Sequence, residues 1–241
     1  MMETTLTIRQ RRTITKTQQP LGISYVFRSV VKEYELRKPQ NISIMNIARE
    51  HDVQHRRVYD FFNMLTSLGV CRVIERGRLA WVGLHEIENT LMKTYAHMEM
   101  TSLCECQASL FNAGTSPSLG TLALNFIGLY FFLGVEILSM RQAAKIFYDH
   151  QSDIKSLERR LYLVLNFLEV INVVAHTSKT SQYRLVINRE RIVQYGLLAR
   201  KNACQKLMVI SVESLLNRVD SIYLSGIYIA RQEEFQILSC K

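Results

Sequence analysis

Two short segments of this chain have the residue types and spacing to read a nucleic acid. One is Arg56-Arg57-Val58-Tyr59-Asp60-Phe61-Phe62-Asn63-Met64-Leu65; the other is Arg159-Arg160-Leu161-Tyr162-Leu163-Val164-Leu165-Asn166-Phe167-Leu168. Guanine offers two acceptors in the major groove, which match the planar fork of an arginine. Adjacent arginines near the start of a groove-sized helix can address neighbouring base pairs, each discriminating by about 1–3 kcal/mol. Arg56, Arg57, Arg159 and Arg160 are therefore the expected base contacts. The helix N-terminus itself favours phosphate. His55 and Arg49 lie close by, and Arg72, Arg76 and Arg78 downstream are expected to reach the DNA backbone. Asp60, four residues after Arg56, is expected to hold that guanidinium in position. Tyr59 and Tyr162 are either residues at the core edge or contacts to phosphate or a partner. Asn63 and Asn166 lie mid-helix and are expected to bond something specific. An isolated Arg-Arg pair is more often a solvated basic face. Placement on a third helix, ahead of a basic hairpin, is what favours DNA here.

The elements that position these pairs occur twice. Arg56, Arg57, Tyr59, Asn63 and Leu65 each recur 103 positions later, and Pro20-Leu21-Gly22 has its counterpart in Ser118-Leu119-Gly120. Such self-similarity marks a repeated supersecondary unit. In the first copy, apolar periodicity predicts a helix over about Ser24–Leu36, ended by Lys38-Pro39, because the residue before proline avoids helical geometry. A short helix from Ser43 to Glu50 follows, with Ser43 as N-cap, and then a helix from Gln54 to Leu68 stopped by Gly69. Val70–Glu75 and Leu79–Val82 bracket Arg76-Gly77-Arg78 as a β-hairpin. In the second copy the spacing predicts helices near Thr121–Phe132, Ser139–Tyr148 and Ser156–Val170. Ser139 and Gln142 form a capping box there, and the hairpin pairs Asn172–Ala175 with Gln182–Ile187.

Three helices followed by a hairpin is the winged-helix order. The expected fold is α+β and mainly α: two winged-helix domains (helix-turn-helix plus β-hairpin wing) with a C-terminal helical extension. The expected boundaries are a basic, flexible arm at 1–19, domain one at 20–84, a connector at 85–117, domain two at 118–187 and the extension at 188–241. The extension has an apolar run through Leu207, Val209, Val212, Leu216, Val219 and Tyr223.

Composition narrows the class. Of 241 residues, 48% are hydrophobic, enough for a packed core, and the net charge of +9 favours an anionic partner. Residues 1–84 carry +7 of that charge, whereas 85–117 carry −3. Arg9, Arg11, Arg12 and Lys16 in the arm could touch phosphates or the minor groove, or act as a nuclear import signal. Five cysteines, with no apolar signal segment ahead of them, read as free thiols in a reducing compartment. No zinc spacing accompanies Cys104-Glu105-Cys106, so no metal or other cofactor is expected. The apolar stretch 121–138 is interrupted by Asn125 and Glu136 and reads as a buried helix rather than a membrane span. No phosphate-cradling glycine loop or nucleophile motif supports an enzyme or a small-molecule substrate.

Arg56-Arg57-Val58-Tyr59-Asp60, followed by Asn63, Leu65 and Gly69, resembles the DNA-binding domain of the E-two-F/DP cell-cycle transcription factors. Leu21-Gly22 resembles that domain's opening, and Trp81-Val82-Gly83 resembles the end of its wing. The resemblance covers residues 20–84 well and 118–187 less well. It implies a nuclear protein that recognises GC-containing promoter elements in double-stranded DNA, with guanine contacts from the four arginines. Two copies in one chain resemble the atypical branch of that family, which carries both domains itself. The second copy departs from the pattern: Leu163 replaces the aspartate, Asp153 and Glu158 bring negative charge, and its wing lacks tryptophan. Two readings stand. One is a sequence-specific transcription regulator. The other is a DNA-engaging accessory or assembly subunit of a chromatin- or DNA-modifying complex, with other subunits bound through the connector and residues 188–241.

Overall fold

The computed structural model describes residues 22–149, 151, 153–207 and 221–240. The basic arm lies outside them, as do Val209, Val212, Leu216 and Val219 and the side chains of Leu207 and Tyr223. The chain opens with α1 (Ile23–Arg37), β1 (Ile42–Ser43), α2 (Ile44–Glu50), α3 (His55–Ser67), β2 (Cys71–Glu75) and β3 (Arg78–Trp81). After α4 (Glu86–Thr101) and α5 (Gln107–Phe111) the order recurs as α6 (Leu119–Leu133), β4 (Ile137–Ser139), α7 (Met140–Phe147), α8 (Ile154–Val170), β5 (Val174–His176) and β6 (Gln182–Leu185). Helices α9 (Glu190–Leu207) and α10 (Ser221–Cys240) complete it. Both sheets are antiparallel, with the hairpin's second strand in the middle: β1-β3-β2 and β4-β6-β5. The third strand of each, β1 and β4, is too short to leave a periodicity in the sequence.

Local chemistry sets the boundaries. Ser43 and Ser139 cap α2 and α7, accepting from the amides of Asn46 (3.4 Å) and Gln142 (3.5 Å). Helix α1 stops at Lys38, which takes a left-handed conformation ahead of Pro39. Within the first repeat, Val58, Phe61, Phe62, Leu65 and Leu68 are buried, the apolar stripe of an amphipathic helix. Helix α6 is buried along nearly its whole length, which accounts for its apolar sequence. Among the described residues no helix is long and apolar enough to cross a membrane.

The repeats pack reciprocally. The first helix of each lies against the third helix of the other, α1 on α8 and α3 on α6, while α4 packs along α9. Arg191 meets Glu88 near the start of that last pair (3.3 Å), and Arg200 meets Glu99 towards its end (3.3 Å), so α4 and α9 run parallel. Exchange of equivalent contacts is the mark of an isologous, twofold-like interface. At its centre Phe27 stacks on Phe61 (4.3 Å between centroids), and Phe167 of the second repeat meets both rings edge-on, at 5.6 and 5.2 Å. Met64, the counterpart of Phe167 by the 103-residue offset, is likewise fully buried. Close approach also needs Gly120: a Cβ there would lie 1.9 Å from the Ser67 hydroxyl on α3. One continuous core joins both repeats with α4 and α5.

The connector's acidic residues are largely committed internally. Glu99 is fully buried and receives both terminal nitrogens of Arg231, at 2.8 and 2.7 Å. Tyr95 donates its hydroxyl to the same carboxylate, and Arg200 adds a further bond at 3.3 Å. A buried carboxylate is tolerated only when its lone pairs are filled in this way. Around Glu99 the connector is thus a structural spine, tied to α9 and α10 by Arg200 and Arg231.

Candidate nucleic-acid interface

Helix α3 begins at His55 with no side chain capping its N-terminus, so its leading amides are available to an anion. Arg56 is the second residue of this helix, exposed, and without a hydrogen bond or ion pair among the described residues. Arg57, the third, is half-exposed and bonds the Asp60 carboxylate at 3.2 Å. Asp60 thus holds Arg57, not Arg56 as the four-residue spacing suggested; the short aspartate side chain reaches the arginine three residues back. The pair fixes one guanidinium and leaves its neighbour free.

Tyr59 joins the helix to the wing. The His55 ring packs against it edge-on at 4.5 Å, and its hydroxyl lies 3.3 Å from where a Cβ on Gly77 would stand, in the hairpin turn. Gly77 has φ +78°, which a side chain would strain. Tyr59 therefore sits at the edge of the core, under the wing. Asn63 and Asn166, expected to be bonded, have no side-chain hydrogen bond among the described residues, and Asn63 is exposed.

The wing is unevenly available. Arg72 and Arg76 are exposed with no protein partner among the described residues, and so is Arg49 at the end of α2. Arg78 is drawn back instead: its Nε bonds Glu75 (3.0 Å) and its Nη1 bonds Asn41 (3.2 Å). Its side chain stays half exposed beside these partners. Glu35 on α1 anchors the wing's end, accepting from the Trp81 indole (2.9 Å) and the Leu84 amide (3.1 Å) while pairing with Lys38. Burial pushes the Glu35 carboxyl up, but the bonds from Lys38, Trp81 and Leu84 outweigh it and leave its pKa below the ordinary value. Sequence reading missed this clamp; the signal was a glutamate beside the buried face of α1 and the sequence's one tryptophan. Burial also pushes the Cys71 thiol up to about 12, so it stays protonated and unreactive at neutral pH. Among the described residues no cluster of acid, histidine and cysteine side chains could hold a metal.

The second repeat carries the same arginine pair in other surroundings. Helix α8 starts earlier relative to its arginines, so Arg159 and Arg160 are its sixth and seventh residues. Its N-terminus is filled by Asp153, whose carboxylate accepts from the amides of Lys155 and Ser156, both at 3.1 Å. Arg159 and Tyr162 are exposed and Arg160 half-exposed. The root of the second wing is closed by Glu169, which accepts from the His176 amide (2.8 Å) and also contacts its ring.

Comparison with known proteins points the same way. The sequence profile of the E-two-F/DP family winged-helix DNA-binding domain matches residues 21–83. The chain is 23% identical to transcription factor E2F8 of Homo sapiens over 197 residues, covering 59% of this chain and 23% of that protein. It is 24% identical to transcription factor E2F7 of Bos taurus over 179 residues, covering 55% of this chain and 20% of that protein. Transcription factor E2F8 of Rattus norvegicus is similar at 24% over 198 residues, with 59% and 23% covered. The chain thus spans less than a quarter of the length of these relatives. Such domains bind DNA and catalyse no reaction. Residues 21–83, which hold the uncapped α3, the basic wing and the Glu35–Trp81 clamp, are thus similar to a winged-helix DNA-binding domain of the E-two-F/DP type.

Proposed function

We propose that the chain is a nuclear, sequence-specific transcription regulator that reads a GC-containing site in double-stranded DNA, chiefly through the first repeat. The observation that carries this is the Arg56-Arg57 pair in the first turn of an uncapped helix, one guanidinium free and the other oriented by Asp60. In this reading Arg56 and Arg57 face base edges, while His55, Arg49, Arg72 and Arg76 neutralise phosphates and Tyr59 sets the wing's distance from the helix. In the same reading the second repeat lies on the adjoining part of the site, with Arg159 and Arg160 as weaker, later-turn contacts and Tyr162 beside them; the reciprocal, twofold-like packing of the repeats supports it. A pseudo-palindromic site follows from that symmetry, because half-site arrangement mirrors the protein's own.

Selection of random duplexes on the full chain at physiological salt tests this. Enrichment of a GC-containing motif, lost in Arg56→Ala and Arg57→Ala, is the expected result. Equal binding to scrambled DNA by parent and variants would remove the base-reading claim.

One observation favours the second reading, an assembly subunit. Tyr195 and Leu198 on α9, and Ile229 and Ile237 on α10, are large apolar residues left exposed. If those residues serve a partner, Arg57→Ala should leave complex formation intact while selection enriches nothing.

A further inference from the structure

Among the described residues helix α10 has no counterpart in the first repeat. It packs on α7, α6 and α5. The seat is built: the ring of Tyr228 lies over Gly134 so closely that a Cβ there would fall 2.9 Å from it. The Arg231 guanidinium stacks 3.7 Å above Phe132 while it grips Glu99. Gln232 donates to the Leu133 carbonyl at 2.7 Å, filling an acceptor left open at the end of α6.

What α10 covers becomes clear when the repeats are aligned on their N-cap serines, Ser43 and Ser139. Arg49 and Lys145 then coincide as the last-turn cations of α2 and α7. Arg49 is exposed and, among the described residues, unpaired. Lys145 donates its Nζ to the Ser239 carbonyl in the last turn of α10, at 2.9 Å, and Gln142 beside it meets Gln236 at 3.5 Å. The C-terminal carbonyls of a helix carry partial negative charge, so this helix end supplies the kind of partner that a phosphate would.

We propose that α10 is an intramolecular occupant of the backbone-facing surface of the second repeat, holding Lys145 away from DNA. The proposal rests on the reading above, in which the cation at the end of α2 meets a phosphate. It assigns α10 the covering of the end of α7 and leaves the face of α8 that carries Arg159 and Tyr162 open.

The test is the salt dependence of binding by the full chain to a GC-containing duplex and its scrambled counterpart. Each phosphate contact contributes about 0.9 to the slope of log K against log salt. Gln236→Pro breaks the last turn of α10 beyond Arg231 and should free Lys145. The slope should then steepen by about 0.9 and binding tighten about fivefold at physiological salt on both duplexes. Adding Lys145→Ala should erase the gain. Lys145→Ala alone, which needs no loosening of the helix, should leave the parent's slope unchanged; a drop of about 0.9 would overturn the proposal. So would a Gln236→Pro protein that is folded, has lost helical signal, and still binds as the parent does. Arg49→Ala separates the two levels of inference: it should lower the slope, and no change would remove the underlying reading instead.

Discussion

The two arginine pairs sit in nearly the same sequence but at different depths in their helices. Arg56 and Arg57 lie in the first turn of α3, where no side chain competes for the leading amides. Arg159 and Arg160 lie about a turn further in, behind an aspartate that already occupies those amides. The same residue types thus have different electrostatic settings. A capped helix is better stabilised on its own and a poorer site for phosphate. Elsewhere the contrast recurs. Glu35 and Trp81 make a polar clamp in the first repeat; with Lys38 aligned on Gly134 and Ser43 on Ser139, their counterparts are Phe131 and Leu185, both apolar. The first repeat keeps polar groups at the surface where they can act, and the second has converted several of them to packing or internal bonds.

The comparison can be broken most severely where the repeats touch. Phe167→Ala removes a ring that meets both Phe27 and Phe61 edge-on and should cost about 3–5 kcal/mol, lowering the denaturation midpoint of the whole chain as one transition. A second, separate transition would show that the repeats unfold independently. Next in size, Arg57→Ala should lose about 1–3 kcal/mol on a GC-containing duplex, with much less lost on scrambled DNA. Arg160→Ala should lose less on either, and equal losses at the two positions would make the repeats equivalent readers. Exchanging the caps sharpens the contrast. Asp153→Ala should destabilise the protein by about 1 kcal/mol yet strengthen DNA binding, whereas Gln54→Asp should weaken binding without loss of stability. Calorimetry and titration of both variants decide it.

The smallest effect is a pH dependence. Because the Glu35 pKa is depressed in the folded state, its contribution is fully present above the ordinary glutamate value of 4.5 and is lost as pH falls through the lower folded value. The midpoint difference between the parent and Glu35→Gln should therefore shrink on acidification. A constant difference from neutral pH downwards would show that the clamp acts through packing alone.

Much of this was legible in the sequence because helices and hairpins announce themselves locally. Lys38-Pro39, Ser43, Gly69 and Arg76-Gly77 punctuate the first repeat, and Ser139 with Gln142 does the same in the second. Periodicity identifies which residues are buried but not what they are buried against. Phe167 meets Phe27 and Phe61 of the other repeat, a contact with no local signature. Asp60 is within reach of both arginines in a linear reading, and only side-chain length decides between them. The bond from Arg231 to Glu99 spans 132 positions, so nothing near either residue could have indicated it. Arg78 gains partners in Glu75 and Asn41 once the hairpin folds back on β1, a pairing that the linear order of residues does not show.

The parallel pairing of α4 and α9 has a consequence for assembly. Two winged helices on separate chains would meet only at concentrations set by their affinity, and dilution would part them. Here the halves belong to one polypeptide, and the helices between them are packed into the same core, so the contact is intramolecular. Their pairing is therefore independent of how many molecules the cell makes.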